Sequence, residues 1–248
     1  MAKTICIDWG NTLVKAAVFN EENKIIEHKN FIAEEANELV IALVQSHKPG
    51  GVILCSVSRQ SDELEKLLKQ VVDKYIHLDN DTLLPIMNAY SSPETLGADR
   101  LALAVGAWAA FPNSNALAVS LGTCITYNMV LKNRPFRGGA ISPGLQMRLD
   151  AMHEFTDKLP EVSVDGELLL LGYDTSTCMR SGAVFGMTAE IDGMLEAYNN
   201  QYPDFNAVLT GGDAPYFANK IKSKIFADPD LLMKGLNLIL KHNVPQLR

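Results

Sequence analysis

The stretch Thr4-Ile5-Cys6-Ile7-Asp8-Trp9-Gly10-Asn11-Thr12-Leu13-Val14-Lys15 joins a β-prone run, a carboxylate at its end and a glycine turn carrying short polar side chains. A second apolar run, Ala16-Ala17-Val18-Phe19, leads away, so the whole reads as a hairpin whose turn holds function. Gly10 lets a backbone approach a ligand and bares amide donors, Asn11 and Thr12 add short donors, and Lys15 adds a positive charge. Such a turn suits the phosphates of a nucleotide. Asp8 would then hold a hydrated Mg²⁺ that bridges phosphate oxygens, since direct contact with phosphate is repulsive. An ordinary hairpin with an Asn/Gly turn accounts for this stretch, taken alone, equally well. The Gly-x4-Gly-Lys-Ser/Thr spacing of a Walker A loop is absent and no helix follows at once.

Beyond this hairpin, Lys24–Phe31 makes a third strand, and Glu34–Ser46 has helical spacing in Leu39, Leu43 and Val44. Pro49-Gly50-Gly51 breaks the chain before Val52–Cys55, an apolar run of buried-strand type. Ser61–Lys74 is an amphipathic helix with Leu64, Leu67, Leu68 and Val71 on one face, giving the order βββαβα. A polar connection over 79–95 then delivers Gly97-Ala98-Asp99-Arg100 onto the apolar helix Leu101–Ala110. Gly, Asp and Arg beside helix-terminal amides form a compact polar group, although a plain helix start favouring Asp99 reads as well in isolation.

From Asn115 the opening pattern returns. Ala116–Val119 runs into Ser120-Leu121-Gly122-Thr123-Cys124-Ile125-Thr126-Tyr127, again strand, turn and strand, and Arg137–Gly144 carries two glycine elements around a third strand end. Helices over 180–199 and 231–241 flank the buried strand Ala207–Thr210, which ends in Gly211-Gly212. The expectation is an α/β chain of two related halves, 1–112 and 113–248, each with its own small sheet and with a nucleotide cleft between them.

Composition narrows the classes. With 248 residues, 47% hydrophobic and 21% charged, the chain can bury one large core or two modest ones. A net charge of −7 argues against general nucleic-acid binding, which needs a basic face. Asp8 interrupts the first apolar run, so no signal peptide is read there, and no uncharged run reaches the ~18 residues of a membrane span. Cys6, Cys55, Cys124 and Cys178 are widely spaced without a Cys-x-x-Cys pair, and are read as buried free thiols in a reducing cytoplasm.

The combination of Asp8–Lys15, Gly97–Arg100, Gly122–Thr126, Gly138–Gly144 and Leu209–Asp213 resembles type III pantothenate kinase over nearly the whole chain. The resemblance implies two ribonuclease-H-like domains of the acetate and sugar kinase/Hsp70/actin superfamily, and ATP-dependent phosphorylation of the terminal hydroxyl of pantothenate, the first step of coenzyme A biosynthesis. It implies further that Asp8, Gly10, Asn11, Thr12, Lys15 and Thr123 bind ATP. Tyr90, Gly97, Ala98, Asp99, Arg100 and Thr175 would bind pantothenate, and Asp99 would act as general base. Mg²⁺ would accompany ATP, held at Asp8 through water, and the protein would be a cytoplasmic homodimer. Arg100 would hold the pantothenate carboxylate, with a salt bridge that positions Asp99 as a comparable role.

One position departs from the pattern. Where the family usually has an aspartate that ligates a monovalent cation, K⁺ or NH₄⁺, this chain has Ser120, and Asn128 replaces an often acidic residue. A neutral hydroxyl gives up the Coulomb attraction that holds such an ion, so potassium dependence is expected to be reduced or absent. The same departure motivates a second reading, a catalytically weakened homologue that binds ligand or acts as a transcription accessory factor. Another kinase of the superfamily, acting on a sugar or acetate, is disfavoured by Gly97–Arg100 following a tyrosine-bearing loop.

Overall fold

A computed structural model describes residues 2–10, 12–56 and 61–247; Asn11, read above as a phosphate donor, lies outside the described residues. Strand β1 (Thr4–Trp9) pairs antiparallel with β2 (Val14–Phe19), and β2 with β3 (Ile25–Phe31). Helix α1 (Ala33–His47) leads to β4 (Gly51–Ser56), parallel to β1, and α2 (Asp62–Val71) leads to β5 (Tyr75–His77), parallel to β4. Among the described residues this sheet has the order β3-β2-β1-β4-β5.

Alternation along β1 sorts its two faces. Ile5, Ile7 and Trp9 pack with Val40 of α1 and Leu64 of α2, while Cys6 faces a second core with Ile53, Cys55 and Leu101. The buried stripe of α1 is Ala36, Val40, Leu43 and Val44, and that of α2 is Leu64 and Leu68. Leu39 and Val71, counted on those faces from spacing, are exposed because they flank the inner stripe. After the short β6 (Met87–Asn88), helix α3 (Ala98–Ala110) begins at an N-cap on Gly97, so the Gly97–Arg100 motif is itself the helix start.

The second half repeats the plan with β7 (Asn115–Leu121), β8 (Cys124–Val130), β9 (Pro135–Pro143), α4 (Leu145–Glu154), α5 (Thr175–Gln201), β10 (Phe205–Thr210), α6 (Ala214–Phe217) and β11 (Phe226–Ala227). Its order, β11-β10-β7-β8-β9-β6, repeats that of the first sheet as far as β9, a three-strand meander extended by two parallel strands, and adds β6 parallel to β9. The links between β7, β8 and β9 are so short that these neighbours must be antiparallel hairpins.

The chain divides into two units. One holds the residues up to Pro112, Val130–Arg137 and those from Asp230 on; the other holds Asn113–Met129 and Gly138–Pro229. The chain passes from the first unit to the second at 112/113, and its last residues return to the first unit. The cause is α7 (Leu231–Asn243), whose Leu236, Ile239 and Leu240 are fully buried in the core that holds Cys6, Ile53 and Leu101.

Two glycines let α7 lie close against α3. A Cβ on Gly235 would stand 1.9 Å from the Ala102 carbonyl oxygen, and one on Gly106 would stand 2.5 Å from that of Leu231. Polar bonds fix the register: Thr4 Oγ1 donates to Asn237 Oδ1 at 2.6 Å, while Asn237 Nδ2 and Lys241 Nζ donate to Asn23 Oδ1 at 3.2 and 2.5 Å.

Of the cysteines, Cys6 and Cys55 are buried as expected, but Cys124 is half-buried and Cys178 is exposed on α5. Cys178 lies in a helix with a solvent face rather than in an apolar strand, which is why the expectation of buried thiols does not extend to it.

Gly235→Ala should destabilise the protein by about 2 kcal/mol or more, because a backbone carbonyl cannot yield as a side chain can. Urea unfolding would read this as a lower midpoint; an unchanged midpoint would mean that the two helices separate without cost.

Candidate active site

The strand pairing of the first sheet sets a row of chemistry. Asp8 on β1 stands opposite Lys15 on β2 and opposite Cys55 on β4. Residues in one such row lie on the same face of a sheet, about 5 Å apart. Burial pushes the Asp8 carboxyl up to about 7, the charge of Asp99 adds to that, and Lys15 opposes it. Cys55 is fully buried beside the same two carboxylates; burial first, then Asp8 and Asp99, push its thiol up and keep it neutral. Asp8, Lys15, Cys55 and Asp99 are therefore one electrostatic group. The turn between β1 and β2 is closed by the Gly10 N–H donating to the Leu13 carbonyl oxygen at 3.2 Å, and it leaves Thr12 exposed.

At the start of α3 the Asp99 carboxylate folds back over Gly97. Its Oδ1 lies 2.5 Å from where a Gly97 Cβ would be, so Gly97 is required for room and not for a left-handed conformation. The carboxylate accepts backbone N–H bonds from Arg100 and from Asp99 itself, which lower its pKa together with the Arg100 charge; burial outweighs them and the net direction is upward. Arg100 is buried, with its guanidinium carbon 5.6 Å from the Tyr90 ring centroid. Tyr90 in turn stacks on Phe136, with centroids 6.1 Å apart and planes at 23°.

In the second unit, glycine elements far apart in sequence meet at the end of β7. The Gly144 N–H donates to the Thr123 carbonyl oxygen at 3.0 Å, and a Cβ on Gly144 would stand 2.0 Å from that of Gly122. Gly211, at φ +98°, packs its α-carbon against Leu121, whose carbonyl oxygen also accepts from the Asp213 N–H at 3.1 Å. Burial pushes the Asp213 carboxyl up. Thr123 is left exposed on this surface of bare backbone. Ser120 is half-buried and pairs in register with Thr210; Asn128 is buried and donates from Nδ2 to Thr126 Oγ1 at 3.0 Å. Thr175 opens α5, exposed, directly after the Asp174 cap.

The structure thus brings Asp8, Lys15, Tyr90 and Gly97–Arg100 into the first unit, and Gly122 and Thr123 together with Gly144 and Gly211–Asp213 into the second. Sequence reasoning overlooked Cys55 beside the carboxylates and Phe136 behind Tyr90. The alternation that puts Ile53 and Cys55 on one face was a usable signal for the first; the second depends on a strand of two residues and left none.

Among the described residues, no group of three or more His, Cys, Asp or Glu is arranged to hold a metal ion. The desolvated carboxylate of Asp8, with a second carboxylate and a lysine as neighbours, fits a divalent ion that arrives with phosphate and keeps much of its water.

The model of the family described as type III pantothenate kinase matches residues 4–197. A type III pantothenate kinase of Cytophaga hutchinsonii is 40% identical over 240 residues, covering 97% of this chain and 99% of that protein. Among solved structures, one described as a Baf family transcriptional activator from Campylobacter jejuni has a TM-score of 0.61 at 18% identity, covering 98% of this chain and all of that one. A ROK family glucokinase from Streptomyces griseus, in complex with glucose and AMPPNP, has a TM-score of 0.53 at 14% identity, covering 98% and 99%. These structural likenesses show the fold: two actin-like α/β domains, as the sequence suggested.

Asp8 gives a pH signature. Its folded-state pKa lies above its unfolded value, so the native chain binds more protons than the unfolded chain between about pH 4 and pH 7, and this group costs stability as pH rises through that window. Asp8→Asn should be more stable than the parent at pH 8, with the difference shrinking as pH falls towards 5. Urea unfolding across that range measures it, and a difference independent of pH would contradict the burial described.

Proposed function

The chain belongs to the type III pantothenate kinase family, and on that premise we propose how its residues divide the phosphorylation of pantothenate by ATP, the first step of coenzyme A biosynthesis. The supporting observation is the pairing of two desolvated carboxylates, Asp8 and Asp99, whose cationic neighbours differ: Lys15 for the first and Arg100 for the second. Two like groups in unlike surroundings take unlike roles.

Asp8 and Lys15 face the phosphates. Gly10, Asn11 and Thr12 supply donors to them, and Thr123 is a further contact to the nucleotide. A Mg²⁺ accompanying ATP is held by Asp8 through water, and when bound it offsets charge on the phosphate oxygens. Asp99 takes the proton from the substrate hydroxyl. Burial raises its basicity, and its backbone bonds hold the carboxylate in place without neutralising it. Arg100 and Tyr90 hold the pantothenate carboxylate, with Gly97, Ala98 and Thr175 completing the contacts. Ser120, Thr210, Thr126 and Asn128 present only neutral groups, so we infer that a monovalent cation is bound weakly or not at all.

A second copy of the chain completes the assembly we propose. Helix α3 gives no support, because Leu101, Leu103 and Val105 are buried within the first unit. The segment between α4 and α5 does: Phe155, Leu170, Leu171 and Tyr173 are 84, 78, 87 and 72% exposed. Apolar side chains this bare and this close in sequence are characteristic of a surface covered by a partner. Among the described residues no helix is long and apolar enough to cross a membrane, and we assign the chain to the cytoplasm.

A coupled ADP-release assay with Mg-ATP and pantothenate tests the reading. Asp99→Asn should lower kcat by roughly 10²–10⁴-fold with the fold intact by circular dichroism, and the parent rate should rise little when potassium is added. Turnover by Asp99→Asn at the parental rate would remove Asp99 as base. A folded parent without pantothenate-dependent turnover would favour the ligand-binding or regulatory homologue, and a strong saturable potassium response would overturn the account of Ser120. For the dimer, the pair Leu170→Asp and Leu171→Asp should shift the mass measured by light scattering from twice the chain's 27.2 kDa to that of a single chain. A parent of single-chain mass would end that proposal.

A further inference from the structure

The loop that carries Tyr90 is tied down immediately before it. Met87 and Asn88 pair in parallel with Pro135 and Phe136. The Met87 N–H donates to the Arg134 carbonyl oxygen at 3.1 Å and the Ala89 N–H to that of Phe136 at 3.0 Å. Asn88 Oδ1 accepts from the Tyr90 N–H at 3.1 Å. Two residues are far too few for an independent strand, which ordinarily needs about five, so these bonds serve to place Tyr90.

The Tyr90 ring is stacked on Phe136 and lies beside the Arg100 guanidinium. Phe136 is fully buried in the core with Ile86, Leu96 and Leu101, so its ring has nowhere to move. The tip of the hairpin that bears it is closed by Arg134 N–H to the Leu131 carbonyl oxygen at 2.8 Å and Leu131 N–H to that of Pro135 at 3.0 Å. Arg134 then lies 5.2 Å over the ring of Trp108, on the same helix that starts with Asp99 and Arg100. The tip is therefore fastened to the Tyr90 loop at one side and to α3 at the other.

We propose that Phe136 is a positioning residue for recognition of the substrate carboxylate: its buried ring fixes the plane of Tyr90, and Tyr90 holds the Arg100 guanidinium in the orientation that receives the acid. The proposal rests on the reading that Tyr90 and Arg100 touch pantothenate. A planar guanidinium recognises a carboxylate through two parallel bonds, so its orientation matters as much as its charge. Phe136 meets no substrate and acts only through its neighbour.

Steady-state kinetics on Phe136→Leu, Tyr90→Leu and the double variant test this. Phe136→Leu should raise KM for pantothenate about fivefold, the usual worth of one aromatic contact, with KM for ATP moving far less. In the double variant the Phe136 substitution should add nothing to the effect of Tyr90→Leu, because the ring it positions is gone. If Phe136→Leu does not fold, Phe136→Met, which keeps the volume without the ring, takes its place in the cycle. Additive effects, or equal rises in both KM values, would mark Phe136 as a general packing residue and overturn the proposal while leaving the roles of Tyr90 and Arg100 standing. A Tyr90→Leu variant with parental KM for pantothenate would instead remove the underlying reading, and the proposal with it.

Discussion

The parallel register of β1 and β4 holds Asp8 beside a buried thiol at the end of a fully apolar strand, where water is scarce. A carboxylate there carries an unfavourable charge unless a cation compensates it, and Lys15 does so only in part. The first unit therefore presents a demand for positive charge, made larger by Asp99. On the proposed reading, a nucleotide arriving with a divalent ion would meet that demand, and an acidic chain could in this way receive an anionic ligand. Sheet pairing, burial and ligand charge are links of one argument here, because shifting the register by one residue would turn Asp8 to the other face of the sheet.

The two halves share a strand order but carry different chemistry on it. The first places charged side chains at the ends of its elements: Asp8, Lys15, Asp99 and Arg100. The second places backbone, through Gly144 and Gly211, each so close to a neighbouring carbonyl that no side chain fits, and through the Gly122 carbonyl that Gly144 approaches. A duplicated fold thus divides its work by composition. Charge acts at long range and tolerates small errors of placement, whereas backbone surfaces act only in contact and need glycine to be reached.

Much of this was readable in the residues because the signals are local. The βββαβα order, the return of the pattern at Asn115 and the helix start at Gly97–Arg100 all rest on spacing and turn chemistry within about ten residues. The features that escaped reading are non-local. Nothing near Leu231 announces that α7 belongs with β1, since an apolar helix looks alike whichever core it enters. Leu39 and Val71 show the limit of spacing even within a helix, where it finds the stripe but not its edges. The stacking of Tyr90 on Phe136 joins residues 46 positions apart through a two-residue strand, too short to have a pattern. Cys178 shows that a residue type which favours the interior says little about one placed on the open face of a helix.

The return of α7 to the first unit also bears on how the chain comes into being. A ribosome delivers residues in order, yet the core around Cys6, Ile53 and Leu101 lacks Leu236, Ile239 and Leu240 until α7 has been made. Asn113–Met129 and Gly138–Pro229, by contrast, have all emerged before α7 is made. The usual progression, in which the N-terminal domain matures first, is thus reversed: the unit that starts earlier closes later, and the nascent chain carries an open apolar sheet face until α7 is released.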